Sequence, residues 1–296
     1  MAVAITLLQL VQDVAVLLGV DVPSAVVGSN NATAKKLLPY LHSAGPRIRA
    51  MYAFPQLTRE HEITLVDSQQ SYALPDDFDS QNPRTAWDQG NNWMLRGPIS
   101  GADYQYLEQS LANVKVRKSF RLFKWTDNQI WISPTPSASD AGTLYSLEYQ
   151  SKTWIRHQTW ASGTSYTANA KVWYNGNRYF AVTSGTAGAT PPTHTTGTIS
   201  DGGLQWTYIS TQLQERFSQD TDVCLLDEEL IKLFVQIEYY KDVGQSDTVQ
   251  LKLADFREHY QRICTNLRGS STINFLGSDS ASLWGDPLLS DGGWTT

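Results

Sequence analysis

Charge is scarce in this sequence. Only 18% of its 296 residues are Asp, Glu, Lys or Arg, where about a quarter is usual. Cations are scarcer than anions, 23 against 29, for a formal charge of −6. Binding along a phosphate backbone needs a surplus of cations that release counterions, so a single copy is ill suited to wrapping nucleic acid. The one basic run, Lys115-Val116-Arg117-Lys118, reads as a solvated turn before a strand. Cysteine is nearly absent. Cys224 and Cys264 fall on separate expected helices without metal-ligand spacing, which reads as two buried thiols or a bridge between neighbouring helices. No apolar stretch is long enough to span a bilayer. The apolar N-terminus carries Gln9, Gln12 and Asp13 with no preceding Lys or Arg, and is not expected to be an export signal.

Catalytic patterns are missing too. His42, His61, His157, His194 and His259 are scattered without helical or hairpin spacing, and a lone His is more often a satisfied structural residue than a ligand. There is no G-x-x-x-x-G-K loop, no H-E-x-x-H and no G-x-S-x-G. Asp76-Asp77-x-Asp79 could hold a hard cation, but it follows Leu74-Pro75 at a strand end, where Asp caps turns. Asp227-Glu228-Glu229 suits a helix start, where negative charge complements the dipole. A cell-wall hydrolase would need two carboxylates facing across a cleft, and no pair has such a setting. The expectation is a structural protein, not an enzyme, with no cofactor and no metal.

Aromatics, by contrast, are plentiful: 10 Trp, 14 Tyr and 9 Phe. With so few charges they suit a thick core or contacts between subunits. Periodicity divides the chain. Thr6 and Gln9 form a capping-box pair ahead of Leu7, Leu8, Leu10, Val11, Val14, Ala15, Leu17 and Leu18, and Gly19 supplies the stop. A second helix starts near Ala32 with Leu37, Leu41, Ala44, Ile48 and Met51 in a stripe, and Pro39 and Pro46 inside it predict a bend or break. From His61 the period becomes two, with strands expected at 61–65, 72–74, 87, 93–95, 120–125, 130–132 and 144–149. Asp67-Ser68 and Thr126-Asp127-Asn128 read as turns between them, and Ser100 with Asp103 caps a short helix to Ala112. Leu226–Tyr240 and Val249–Leu267 are helical again, and the short Gly244–Asp247 link makes them an αα-hairpin.

The fold class expected is therefore α+β: an antiparallel helical bundle from the N- and C-terminal helices, a β-rich central section, and a small inserted all-β domain. Residues 1–158 and 213–268 would form the bundle and core, 159–212 the insertion, and 269–296 an extended tail.

From Thr159 to Gln212 only Lys171, Arg178 and Asp201 are charged. Asn175-Gly176 between two aromatic runs is a strong hairpin signal. Alternation puts Val172, Tyr174, Tyr179 and Ala181 on one face and Trp173, Arg178, Phe180 and Val182 on the other. A small sheet usually buries one face, so Trp173, Phe180 and Trp206 are candidate contacts for a glycan ring or a protein. The plainer reading makes these aromatics the core of a small domain or its seam with neighbours. The tail is rich in Ser, Gly, Asp and Thr and carries isolated Phe275, Leu276, Trp284, Leu288, Leu289 and Trp294. Such a segment either dangles or docks on a partner with those side chains as anchors.

Three motifs resemble the head-to-tail adaptor (connector) proteins of tailed bacteriophages, especially short-tailed ones. Tyr72-Ala73-Leu74-Pro75-Asp76-Asp77-Phe78 resembles the family's Y-x-L-P-x-D-F. Met51–Leu57 is similar to its aromatic-Trp-Pro-x-Leu segment, with Phe54 where Trp is usual, and Ile130–Pro136 to its strand followed by a Pro pair. The element order matches as well, over about two thirds of the chain. The pattern of Tyr166, Val172-x-Tyr174-x-Gly176-x-x-Tyr179-x-Ala181 and Trp206 resembles small glycan-binding β modules and domains inserted into phage tail proteins.

The adaptor resemblance implies a ring, commonly of twelve copies, in the neck of the virion between head and tail. Its partners would be sister copies, the phage portal protein above and a tail or nozzle protein below. DNA would pass through without specific binding, no membrane would be involved, and synthesis would occur in the host cytoplasm. The alternative is a glycan-binding tail or surface-decoration protein.

Overall fold

The computed structural model describes residues 5–110, 118–123 and 128–267. Among them are five helices: α1 (Leu7–Leu18), α2 (Ala32–Arg49), α3 (Gly101–Ser110), α4 (Glu228–Val243) and α5 (Ser246–Leu267). With many antiparallel strands, the fold is mixed α+β. The chain clusters into two compact units: the part up to Leu57 with Lys152–Thr265, and Thr58–Ser151. The boundaries expected at 158 and 213 both fall inside the first.

The Thr58–Ser151 unit is built on β1 (Thr58–Thr64), β2 (Ser71–Ala73), β3 (Phe78–Gln81), β4 (Trp87–Asp88), β5 (Trp93–Met94), β6 (Ser119–Phe123), β7 (Gln129–Ser133) and β8 (Leu144–Ser151). β8 is its hub. It pairs antiparallel with β1 from Thr64↔Leu144 to Thr58↔Gln150, and also with β3 and β4. A strand flanked by partners has neither edge free, and most of β8 is buried accordingly. A second sheet runs β2-β7-β6. Between the sheets' elements lies a core that includes Ile63, Phe120, Ile132, Tyr145 and Leu147. α3 is capped as expected, Ser100 Oγ accepting from the Asp103 amide at 3.1 Å. Its Tyr104 meets Trp131 edge-on with centroids 6.3 Å apart. The turn at Asp67-Ser68 exists, with Ser68 at φ 60. It does not close a hairpin, because β1 pairs with β8 while β2 pairs with β7. Residues 124–127 and 115–117, parts of the expected hairpin turn and basic run, lie outside the described residues.

The other unit begins with a complete capping box. The Gln9 amide donates to Thr6 Oγ1 at 3.3 Å, and the Thr6 amide to Gln9 Oε1 at 3.1 Å. Gly19, at φ 66, ends α1. The buried face of α1 is narrower than the sequence suggested: Leu7, Leu10, Val11, Val14 and Ala15 are inside, Leu8 and Leu18 are half-buried, and Leu17 is exposed. α2 runs unbroken through Pro39 and Pro46. Each proline leaves one carbonyl without its helical donor, but Leu37, Leu41, Ala44 and Ile48 bury a continuous stripe that holds the helix together, while Met51 lies past its end and is exposed. α1, α2 and α4 pack on one another. Gly244 at φ 78 turns the chain into α5, and His259 Nε2 lies 2.8 Å from Asp227 Oδ1 at the start of α4. Trp154 is fully buried beside α2.

From β9 (Ile155–Arg156) the chain leaves for the strand-rich stretch. There β10 (Ser165–Tyr166), β11 (Lys171–Tyr174), β12 (Asn177–Ala181), β13 (Gly185–Thr186), β14 (Thr198–Asp201) and β15 (Leu204–Ser210) follow. It returns at β16 (Val223–Cys224), which pairs with β9. β11 and β12 form the expected hairpin, with Asn175 at φ 43 and Gly176 at φ 83 as a left-handed pair. The sheet order is β11-β12-β15-β14, and β10 pairs separately with β13. β14, which meets β15 across the Gly202-Gly203 turn, was not foreseen.

Candidate functional site

The strand-rich stretch is where sequence suggested contacts, and its faces sort as alternation predicts. Val172, Tyr179 and Ala181 point into a hydrophobic cluster with Trp160, Tyr166 and Trp206. Trp173, Arg178 and Phe180 lie on the opposite face, each half-buried. Trp206 is different from the other two candidates: it is fully buried. Its indole Nε1 donates to Asp201 Oδ2 at 3.1 Å, and Trp160 Nε1 donates to the same oxygen at 3.2 Å. The second oxygen of Asp201 accepts the Gly188 amide at 2.8 Å. One buried carboxylate thus satisfies two buried indoles and a half-buried amide, as burial of polar groups requires. The signal was available in the sequence: Leu204-x-Trp206 alternation puts Trp206 on the same face as an aliphatic.

The half-buried face leads to a polar cluster that sequence reading missed. His157 and Asp222 are both fully buried, with His157 Nδ1 2.6 Å from Asp222 Oδ1. Arg178 Nη2 lies 3.0 Å from His157 Nε2, and Arg178 Nη1 donates to the Gln212 carbonyl at 3.1 Å. Asp222 Oδ2 also accepts the amides of Ser218 at 2.6 Å and Gln219 at 2.9 Å. Burial lowers the His157 pKa, against the opposing pull of Asp222; hydrogen bonds from His157 and the loop amides lower that of Asp222 despite its burial. The backbone carbonyl of Asp222 accepts the Leu7 amide at 2.8 Å, so the same loop caps α1. Nothing local announces this cluster, whose members come from β12, the segment after β9 and the loop before β16.

The motifs that carried the resemblance are structural in the geometry. Tyr72 Oη accepts from the Val66 amide at 3.0 Å and donates to the Gln69 carbonyl at 2.9 Å, which locks the turn before β2. Asp77 is buried and accepts from Tyr149 Oη at 2.9 Å and Ser151 Oγ at 2.7 Å, with Arg59 Nε 3.5 Å away. Phe78 stacks on Tyr149 with centroids 5.4 Å apart. Phe54 and Leu57 are buried in the other unit, as are Ile130 and Ile132 in this one.

A shallow cleft in the Thr58–Ser151 unit is lined by Asp88, Asn91, Trp93, Lys118, Asp140 and Tyr145. Its polar groups are engaged. Asp88 accepts the Asn91 amide at 3.0 Å, Lys118 reaches Asp140 at 3.0 Å, and Asp140 accepts the Ser137 amide at 2.8 Å, which lowers its pKa against the effect of burial. Among the described residues no group of three or more His, Cys, Asp or Glu is placed to hold a metal ion, and no helix is long and apolar enough to cross a membrane. Cys224 and Cys264 are free thiols, both buried. The tail candidates Phe275, Leu276, Trp284, Leu288, Leu289 and Trp294 lie outside the described residues.

No curated protein matches this chain. A protein-family match does exist, and it covers residues 5–165, from the cap of α1 through the whole of the β8-centred unit to β10. It takes in all three motifs above and just over half the chain. The chain belongs to the SU10 adaptor protein family.

Proposed function

We propose that this protein is a head-to-tail adaptor of a tailed phage, assembled as a ring of twelve copies between portal and tail. Membership of an adaptor family gives a phage structural protein, and implies association with portal and tail proteins in the virion neck. The ring, its copy number and the passage of DNA are the finer reading. The observation that carries it is the family match over the helices and strands that the motifs build.

Charge supports the reading. Twelve copies at −6 each would carry about −70, and a conduit of that sign repels phosphate and lets DNA slide without sticking. In this reading the Phe275–Trp294 tail docks on a neighbouring neck protein through its spaced apolar side chains. Electron microscopy of the purified protein, alone and with portal-bearing heads, tests the proposal. Rings that attach to the portal vertex are expected. A protein that stays monomeric and ignores the portal would overturn it. Deleting residues from Gly269 onward should leave rings but block attachment, and unchanged attachment would remove the docking role of the tail.

A further inference from the structure

We propose that His157, Asp222 and Arg178 form an acid-sensitive latch that holds the β11–β12 hairpin to the loop before β16. The hydrogen bonds admit one protonation state. Nδ1 must carry the proton to bond Asp222 Oδ1 at 2.6 Å, which leaves Nε2 bare to accept from Arg178 Nη2 at 3.0 Å. The opposite neutral tautomer would put an N–H against the guanidinium and take from Asp222 Oδ1 the donor at 2.6 Å. Gln214 Nε2 lies 3.0 Å from His157 Nδ1 and 3.4 Å from Asp222 Oδ2. With Nδ1 protonated, that amide can donate only to the carboxylate.

A second proton on His157 has one place to go. It must take Nε2, the atom that accepts from Arg178. The acceptor is then lost and the Arg178 guanidinium faces a fully buried imidazolium, where repulsion is screened less than in open solvent. The charged groups facing His157 are Asp222 from the loop, Arg178 from β12 and Lys171 from β11. Two of these three are cations, and both belong to the hairpin. Lys171 is held to the same loop, its amide donating to Gln219 Oε1 at 2.9 Å. Protonation therefore pushes the hairpin off the loop while Asp222 keeps the imidazolium on the stem.

The direction follows from linkage. The closed latch disfavours the proton and the open one accepts it near the ordinary value of 6.5, so closure is most favourable above that pH and weakens as pH falls below it. Opening should grow by on the order of tenfold for each pH unit below about 6.5, until the closed form also takes up the proton. Asp222 acts in the same direction at lower pH, because its bonds to the loop amides need the carboxylate.

Hydrogen–deuterium exchange of the full-length protein, corrected for intrinsic rates, tests this at about pH 7.5 and about pH 5. Segments Lys171–Ala181 and Gln214–Cys224 should lose protection by more than about twofold in acid, with α4 unchanged. Equal protection at both pH values, or uniform loss across the chain, would overturn the latch. Arg178→Gln supplies the second arm, since an amide oxygen can accept from a protonated imidazole. This variant should flatten the acid response of both segments to less than about twofold. An undiminished response in Arg178→Gln would equally overturn the proposal.

Discussion

The indole of Trp154 lies directly on the backbone of Gly45 in α2. A Cβ added at Gly45 would stand 2.0 Å from Cε2 of Trp154 and 2.3 Å from Cζ2. In an exposed helix Gly→Ala stabilises by up to about 1 kcal/mol. Here the sign reverses, because a buried aromatic must move. Gly45→Ala should cost about 1–3 kcal/mol in urea denaturation, as overpacking does. In a protein whose Trp154 is already truncated, Gly45→Ala should cost less, since residues in contact are not additive.

Asp201 accepts from two indoles and one amide at once. Asp201→Ala strands all three donors, and a loss of about 2–4 kcal/mol is expected from hydrogen bonds to a buried charge. Tryptophan fluorescence should report it as a red shift, because Trp160 and Trp206 are both near the carboxylate. An unshifted spectrum with native stability would show that the carboxylate is dispensable.

Asp77 and Arg59 form a pair of unequal worth. Asp77 is buried with two hydroxyl donors, whereas the Arg59 side chain is 36% exposed. Asp77→Ala is expected to cost about 2–4 kcal/mol through Tyr149 and Ser151. Arg59→Ala should cost under about 1 kcal/mol, the usual worth of a solvent-reached ion pair. Equal effects in thermal unfolding would mean the ion pair, not the hydroxyls, holds β3 to β8.

Burial pushes the Cys224 thiol up to about 12, with the nearby Asp227 and Glu228 charges adding to the shift. The thiolate is the reacting form, so Cys224 should resist alkylation at about pH 8 in the folded protein and react after denaturation. Mass spectrometry of iodoacetamide-treated protein reads this directly. Rapid native labelling at Cys224 would contradict the burial.

Features set by near neighbours were legible in the sequence. The Thr6–Gln9 box, the Asn175-Gly176 turn and the Gly244 stop each depend on residues within one turn of chain, and each is present. Pairings across long separations were not. Leu144–Ser151 reads as a strand, but nothing in it names β1, β3 and β4 as partners, because register is decided by the whole sheet. The latch escaped for the same reason. His157 looked like one of five scattered histidines, and its partners lie 21 and 65 residues away. The motif Tyr72–Phe78 reads in the sequence as a family signature, while its role in locking a turn and burying Asp77 depends on Val66 and on the remote Tyr149.

The excursion between β9 and β16 leaves and rejoins the stem at one point. Gln214 donates its amide to the Ile155 carbonyl at 2.9 Å, and its own carbonyl accepts from the Ile155 and Trp154 amides at 3.0 Å. What lies between these residues is a detour with coincident ends. A chain whose departure and return are already stitched together pays little extra entropy when the detour lengthens or shortens. The stretch from Arg156 to Leu213 can therefore change in length at little entropic cost while Trp154, Ile155 and Gln214 keep their bonds.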